Sequence, residues 1–167
     1  AASGADYTNI AGALGWFQSN HDFDTDGIAQ ILITDASSYT ISSALSLNGI
    51  AGTPSTTAYL EITSNASDPF SGPTINQSHG SNGGFYIDME YVYINNLLFN
   101  LNNTSSSTEC IRISSNGNYA LISRNVFIAL QQTSDQDGIY TGNWSVGPMF
   151  IDNNFFIGFA RAAIHPQ

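Results

Sequence analysis

The chain has 167 residues, of which 10% are charged, with three arginines, no lysine and a formal net charge of −10. This length fits one domain of ordinary size. Because phosphate neutralisation needs clustered basic residues, we expect no nucleic-acid partner. No apolar run approaches about 18 residues, so we expect no membrane partner either. The single cysteine, Cys110, excludes an internal disulfide.

The first predicted element is a helix over Tyr7–Asn20, with Thr8 or Asn9 as its N-cap. Three apolar residues at helical spacing form one face of it: Ile10, Leu14 and Phe17. Strands follow, because β-branched and alternating runs replace the helical period. They are predicted at Ile28–Thr34, Tyr39–Leu47 and Ala58–Thr63.

The stretch Ser64–Gly84 is rich in Gly, Pro, Ser, Thr and Asn. It is long for a structureless loop, so we interpret it as an excursion from the main scaffold, with room for a short strand at Thr74–Asn76. The predicted organisation is a single domain over 1–167. It has a cap helix and acidic turn over 1–27, first coils with long loop excursions over 28–84, and regular coils over 85–167.

An internal repeat is the main signal in the second half of the chain. The segments VYINNLLF (92–99), ALISRNVF (120–127) and MFIDNNFF (149–156) align, with central isoleucines at 94, 122 and 151. A second motif, with apolar centres at 85, 111, 139 and 164, interleaves with the first. Both give a period of 25–29 residues, which predicts stacked structural repeats.

Each repeat has room for short strands and turns but for no helix of ordinary length. Such a unit buries its apolar face by stacking on its neighbours at strand spacing, about 4.8 Å. The predicted fold is therefore all-β: a single-stranded right-handed parallel β-helix, or solenoid, with a short N-terminal capping helix. Four turn asparagines are expected to form structural ladders: Asn96, Asn125, Asn153 and Asn154.

The segments INNLLF, ISRNVF and IDNNFF resemble the repeat of pectate-lyase-like right-handed β-helix proteins. The opening DYTNIAGALGWFQSN is similar to the N-terminal cap of such proteins, including phage-encoded tailspikes. The resemblance implies the β-helix fold. It implies no single function, because the family includes lyases, hydrolases, tailspikes, adhesins and inert structural modules.

The sequence DFDTDG (22–27) begins like a calcium-binding loop, with Asp22, Asp24 and Asp26 as candidate ligands. The twelfth position of the loop is Ile33, where an EF-hand carries glutamate. Two interpretations stay open, a solvated acidic turn between helix and first strand, and a calcium site.

Alternation along the strands sends four side chains of the second motif outward, one above another: Tyr86, Arg112, Tyr140 and His165. Aromatic faces and a stacked arginine suit sugar rings, so this column is a candidate carbohydrate-binding strip. The alternative is a packing ladder that only stabilises the sheet.

A second outward column contains Tyr93, Leu121 and Phe150. Large apolar patches mark protein contacts, so we expect either the Ser64–Gly84 excursion or another subunit to cover it. The coil at Ala163–Gln167 has no visible cap, and we expect a neighbouring subunit or further chain to cover that end.

Glu109 and Asp137 are candidate catalytic acids, because they lie on adjacent predicted coils. A separation of about one strand spacing suits a retaining glycosidase. The alternative is that both are solvated acids beside a turn, and the sequence assigns no catalytic residue.

These features favour a non-enzymatic structural or adhesive module of an extracellular or virion-surface homomeric assembly. Calcium is the sole candidate cofactor. The alternative is a tailspike-type domain that binds or degrades polysaccharide, as a lyase or glycoside hydrolase. A flat ice-binding solenoid is disfavoured, because no regular Thr-x-Thr ladder is present.

Overall fold

The computed structural model describes residues 7–78, 83–102, 108–129, 135–142 and 147–166. Across these ranges the chain forms three parallel sheets of five strands each. Successive strands belong to successive sheets, so one strand from each sheet makes a winding, and the windings stack directly on one another. The predicted all-β parallel solenoid is confirmed.

The strand bounds show how each sheet is assembled. The first sheet contains β1 (Ala29–Ile33), β4 (Leu60–Ser64), β7 (Val92–Asn95), β10 (Leu121–Ser123) and β13 (Phe150–Asp152). The second contains β2 (Ser38–Ile41), β5 (Thr74–Gln77), β8 (Leu98–Leu101), β11 (Val126–Ala129) and β14 (Phe155–Ile157). The third contains β3 (Leu45–Leu47), β6 (Phe85–Ile87), β9 (Thr108–Ile113), β12 (Gln136–Thr141) and β15 (Ala162–Pro166).

The helix α1 (Ile10–Asn20) covers the first winding. It begins after Asn9, whose side chain accepts a hydrogen bond from a backbone N–H in the first turn at 2.7 Å. Ile10 and Leu14 are buried in the core. The Gln18 amide donates to the backbone carbonyl of Ser46 at 3.2 Å, which ties the helix to the first winding. The predicted cap helix is confirmed, although it begins at Ile10 and not at Tyr7.

The core consists of files of equivalent side chains that run along the stack. Strand register places Ile94, Ile122 and Ile151 directly above one another. The same file extends down to Ile62 and Ile31 in the first two windings. One isoleucine per winding therefore fills the same position beside the first sheet.

Phenylalanines form the corresponding file beside the second sheet. The ring centroids of Phe99 and Phe127 lie 4.9 Å apart, and those of Phe127 and Phe156 lie 4.8 Å apart. The interplanar angles are 9° and 8°. Because the rings repeat at the spacing of the strands, each packs face to face on the next.

The asparagine ladder lies at the corner between the first and second sheets. The Asn125 amide donates to the Ile94 carbonyl at 3.0 Å, and its oxygen accepts from the Leu97 backbone N–H at 3.1 Å. One winding further on, the Asn154 amide donates to the Ile122 carbonyl at 2.7 Å. These bonds satisfy backbone groups at the corner, which agrees with the prediction that the turn asparagines form structural ladders.

Asn96 and Asn153 serve the same corner through their backbone conformation. Their φ angles are 59° and 53°, in the left-handed region that asparagine tolerates better than most residues. The chain turns there from the first sheet into the second.

Two predictions about the first windings were wrong in detail. The run Tyr39–Leu47 is not one strand, because the chain turns a corner over residues 42–44 and leaves β2 for β3. The stretch Ser64–Gly84 is not wholly an excursion, because β5 pairs with both β2 and β8 as an integral strand. Its loop in the described residues is 65–73, and residues 79–82 lie outside them.

The predicted acidic turn contains a second short helix, α2 (Phe23–Asp26). Phe23 is buried in the core, which holds this segment against the first winding. Neither described helix has the length and apolar character needed to cross a membrane.

Candidate functional site

The predicted carbohydrate strip is assembled on the third sheet as the spacing indicated. Register pairs Tyr86 with Arg112, Arg112 with Tyr140, and Tyr140 with His165. The Arg112 guanidinium carbon lies 4.7 Å from the centroid of the Tyr140 ring, and the His165 ring meets that ring edge-on at 5.2 Å. Tyr140 is only 7% exposed. Its neighbours occupy the ring, so the column has the geometry of a packing ladder.

Asp137 lies beside this column in a buried ion pair. Its side chain is fully buried, and both carboxylate oxygens accept from the Arg161 Nε at 3.0 Å. The His165 Nδ1 lies 3.1 Å from the same carboxylate. The hydrogen bond to Asp137 raises the pKa of Arg161, so the guanidinium stays a cation. A carboxylate in this arrangement has no open face for substrate.

Glu109 is the register partner of Asp137, so the predicted adjacency of the two acids is present. Glu109 is 2% exposed, and its Oε2 has no hydrogen-bond partner in the described residues. Burial raises the pKa of Glu109, opposed by the Arg112 guanidinium, whose Nη1 lies 3.9 Å from Oε1. The interpretation that both acids are solvated was wrong, since neither reaches solvent.

The apolar column on the first sheet is also assembled. Register places Tyr93, Leu121 and Phe150 on adjacent strands. Tyr93 packs against the ring of Tyr59 at 4.3 Å between centroids, whereas Phe150 is 57% exposed. Tyr93 and Leu121 are therefore partly covered, and Phe150 is the exposed member of the column.

The described part of the predicted excursion does not supply a cover for this column. The ring of Phe70, in loop 65–73, lies 6.3 Å from that of Phe155 in β14. β14 belongs to the second sheet, not to the sheet that carries the column. The loop, one of the two covers expected for the apolar column, therefore contacts the second sheet and not the first.

The last of the described windings carries exposed apolar side chains. β13, β14 and β15 are terminal in their sheets, so each has one strand neighbour within the described ranges. Four large apolar residues of this winding are 40–57% exposed: Phe150, Phe155, Ile157 and Ile164.

Sequence reasoning missed a cleft between α1 and β1. It has a volume of about 880 Å³, and its lining includes Trp16, Leu32, Tyr59 and Glu61. Gln30 donates to one Glu61 carboxylate oxygen at 2.7 Å, and Asn95 donates to the other at 3.0 Å. The repeat period could have indicated part of this cleft. Gln30 and Glu61 lie in register with Tyr93, so they continue its outward column into the first two windings.

The three candidate calcium ligands are engaged with backbone N–H groups. Asp22 Oδ1 accepts from the Asp24 N–H at 2.9 Å, and Asp26 Oδ2 accepts from the Asp22 N–H at 2.9 Å. Asp24 Oδ1 accepts from the Thr53 N–H at 3.0 Å. In the part of the chain that the structure describes, no three His, Cys, Asp or Glu side chains form a metal-binding group. The arrangement is that of an acidic helix cap.

The fold and these surfaces define the class of the protein, a parallel β-solenoid with a capped first winding. Comparison with protein-family models, with curated proteins and with solved structures finds no match to this chain.

Proposed function

We propose that the protein is a non-enzymatic structural or adhesive module that associates with copies of itself. The outward apolar column Tyr93, Leu121 and Phe150 carries this proposal, because Phe150 is 57% exposed and the described loop 65–73 contacts a different sheet. A second copy that packs on this column removes its apolar side chains from water.

The burial of the two candidate catalytic acids supports a role without catalysis. A glycosidase needs two carboxylates that face the scissile bond, whereas Glu109 and Asp137 are both buried and Asp137 is bound to Arg161. The resemblance to tailspikes and a chain without lysine favour an extracellular or virion-surface location.

Sedimentation equilibrium over a wide range of protein concentration tests this function. We expect one dominant homomeric species, and a chain that stays monomeric throughout contradicts the proposal. Phe150→Asp on the last winding should weaken the association. Leu32→Asp is the matched control, because Leu32 is similarly exposed on the first winding. Assays for sugar release from acidic and neutral polysaccharides should show no turnover.

A second candidate function, polysaccharide binding or degradation, is favoured by the cleft beside α1. Aromatic rings and a carboxylate held by two amides are groups that recognise sugar hydroxyls and ring faces. Titration with oligosaccharides, followed by tryptophan fluorescence, tests it. Tyr59→Ala in the cleft should abolish binding, and Tyr86→Ala in the third-sheet strip should not. The reverse result assigns binding to the strip instead.

A further inference from the structure

We propose that Tyr91 and Tyr119 form an oxidative cross-linking site, at which a peroxidase joins the two rings into a dityrosine. The product links the winding that contains β7 covalently to the next one, which contains β10. The site lies within one chain, so it does not depend on the proposed self-association. Both windings have a described winding on either side, so the site does not depend on either end of the stack.

The two tyrosines occupy the same place at the corner that precedes the first sheet. Register pairs Tyr93 of β7 with Leu121 of β10, which sets Tyr91 level with Tyr119. Their ring centroids lie 4.7 Å apart, and the two ring planes are inclined by only 10°. The rings are therefore stacked face to face.

The backbone holds both rings in this position. The Tyr91 N–H donates to the Asn118 carbonyl at 3.0 Å, and the Tyr119 N–H donates to the Pro148 carbonyl at 2.8 Å. Both tyrosines have φ angles in the left-handed region, 54° and 57°, a conformation that bulky residues seldom adopt. Such conformations persist only where the surrounding structure fixes them, and they are concentrated at functional sites. The stacked pair is thus a constrained feature of this corner.

The reaction uses an external oxidant, hydrogen peroxide acting through a haem peroxidase. Each phenol gives up one electron and one proton, so one peroxide molecule yields two phenoxyl radicals and two molecules of water. The radicals couple at a carbon ortho to each hydroxyl group, which forms one C–C bond. Each of these carbons then releases its hydrogen as a proton, and each phenoxyl oxygen takes up one proton. The linked pair has lost two hydrogen atoms in total.

Face-to-face stacking suits this coupling. The unpaired electron of a phenoxyl radical occupies the π system, whose lobes point out of the ring plane, so the new bond forms between ring faces. Tyr91 and Tyr119 already present their faces to each other, and groups held in reactive orientation gain a high effective concentration. Tyr59 and Tyr93 form the second tyrosine pair in ring contact among the described residues. Their planes are inclined by 37°, which aligns their π systems less well.

The two phenols are accessible to such an oxidant, and no exposed thiol competes with them. Tyr119 is 37% exposed, and Tyr91 is partly exposed beside it. The single cysteine of the chain, Cys110, is buried. Because the chain has one cysteine and no lysine, it forms neither an internal disulfide nor a lysine-based link. Its tyrosines are the groups open to a covalent link between windings.

Tryptic mapping of the oxidised protein tests the site. The chain has no lysine, so trypsin cuts it after three residues: Arg112, Arg124 and Arg161. Tyr91 lies in the peptide 1–112, and Tyr119 is the single tyrosine of the peptide 113–124. After treatment with a haem peroxidase and limiting hydrogen peroxide, we expect most of the free 113–124 peptide to be replaced by a product joined to 1–112. The mass of this product should be two hydrogen atoms below the sum of the two peptides.

Phenylalanine variants identify the partner of Tyr119. Tyr91→Phe keeps the stacked ring but removes its phenol, so it should abolish the joined product. Tyr59→Phe is the matched control, because it removes a phenol from the second pair, and it should leave the joined product unchanged. The proposal is overturned if the 113–124 peptide of the original protein stays free after oxidation, or if Tyr91→Phe still gives the joined product. Circular dichroism of each variant confirms that the solenoid is folded.

Oxidation of an equal mixture of isotope-labelled and unlabelled protein shows whether the link lies within one chain. A link between windings of one chain joins two labelled peptides or two unlabelled peptides. Joined products with one peptide of each kind arise between copies and overturn the proposal.

The linked protein should also be more stable than the unlinked one. A cross-link that closes a loop of one repeat period restricts the unfolded chain, so the melting temperature should rise by about 10 °C. An unchanged melting temperature in fully linked protein contradicts a link between stacked windings.

Discussion

Replacing Asn125 with leucine tests the role of the asparagine ladder in holding the windings together. Asn125 is 1% exposed and bonds the Ile94 carbonyl and the Leu97 backbone N–H. Its sequence alignment with Leu97 shows that leucine already occupies the equivalent place one winding earlier. The substitution therefore removes hydrogen bonds while it keeps the branched shape of the side chain.

The expected cost follows from the two backbone groups that lose their partners. Each buried polar group left without a hydrogen bond costs about 1–3 kcal/mol. Greater apolar burial by leucine offsets about 1 kcal/mol of this loss. The bond from the Asn125 amide to Asn154 Oδ1 is lost as well, but this oxygen still accepts from the backbone N–H of residue 125. The free energy of unfolding should fall by about 3 kcal/mol.

Urea unfolding followed by far-ultraviolet circular dichroism measures this change. Asn100→Leu is the matched control, because Asn100 is half-buried and makes one side-chain hydrogen bond, to Asn76 at 3.3 Å. The control should cost less than about 1 kcal/mol. If Asn125→Leu lowers the free energy of unfolding no more than the control does, the argument that Asn125 satisfies buried backbone groups is refuted.

Three further predictions concern buried or constrained positions. Burial raises the folded-state pKa of Glu109 above its ordinary value of 4.5, so its stabilising contribution is full below that value and is lost as pH rises through the raised pKa. Glu109→Gln should therefore raise the melting temperature at neutral pH and have less effect at pH 4; an equal effect at both pH values contradicts the burial argument. Phe127→Ala should cost about 4 kcal/mol in urea unfolding, because the ring is fully buried, whereas Phe70→Ala, at an exposed ring, should cost little. Gly52→Ala should cost about 2 kcal/mol, because φ is 81° and a Cβ would lie 2.7 Å from the Phe23 backbone nitrogen; an unchanged unfolding midpoint would contradict this.

Much of the fold could be predicted because a solenoid repeats its own contacts. Residues one period apart become neighbours, so the spacing of Ile94, Ile122 and Ile151 is itself a contact map. The same logic placed Tyr86 beside Arg112 on the third sheet. The helical spacing of Ile10, Leu14 and Phe17 ahead of the first strand also predicted the cap helix.

The burial of the outward side chains could not be predicted in the same way. Register says which side chains are neighbours but not what lies over them, and for that reason the sequence left Glu109 and Asp137 as either catalytic or solvated acids, whereas both are buried. The Arg161 side chain reaches Asp137 from the next winding, 24 residues along the chain. The cleft beside α1 likewise depends on how the helix rests on β1.

The sequence by itself therefore determined the repeat period, the files of equivalent core side chains and the N-terminal helix. The period and the files follow from short-range alternation repeated at one spacing, and the helix follows from apolar residues at helical spacing. Only the tertiary structure decided which outward residues are buried and which stay exposed. Those properties depend on corners, loops and helix placement, where no repeat constrains the path of the chain.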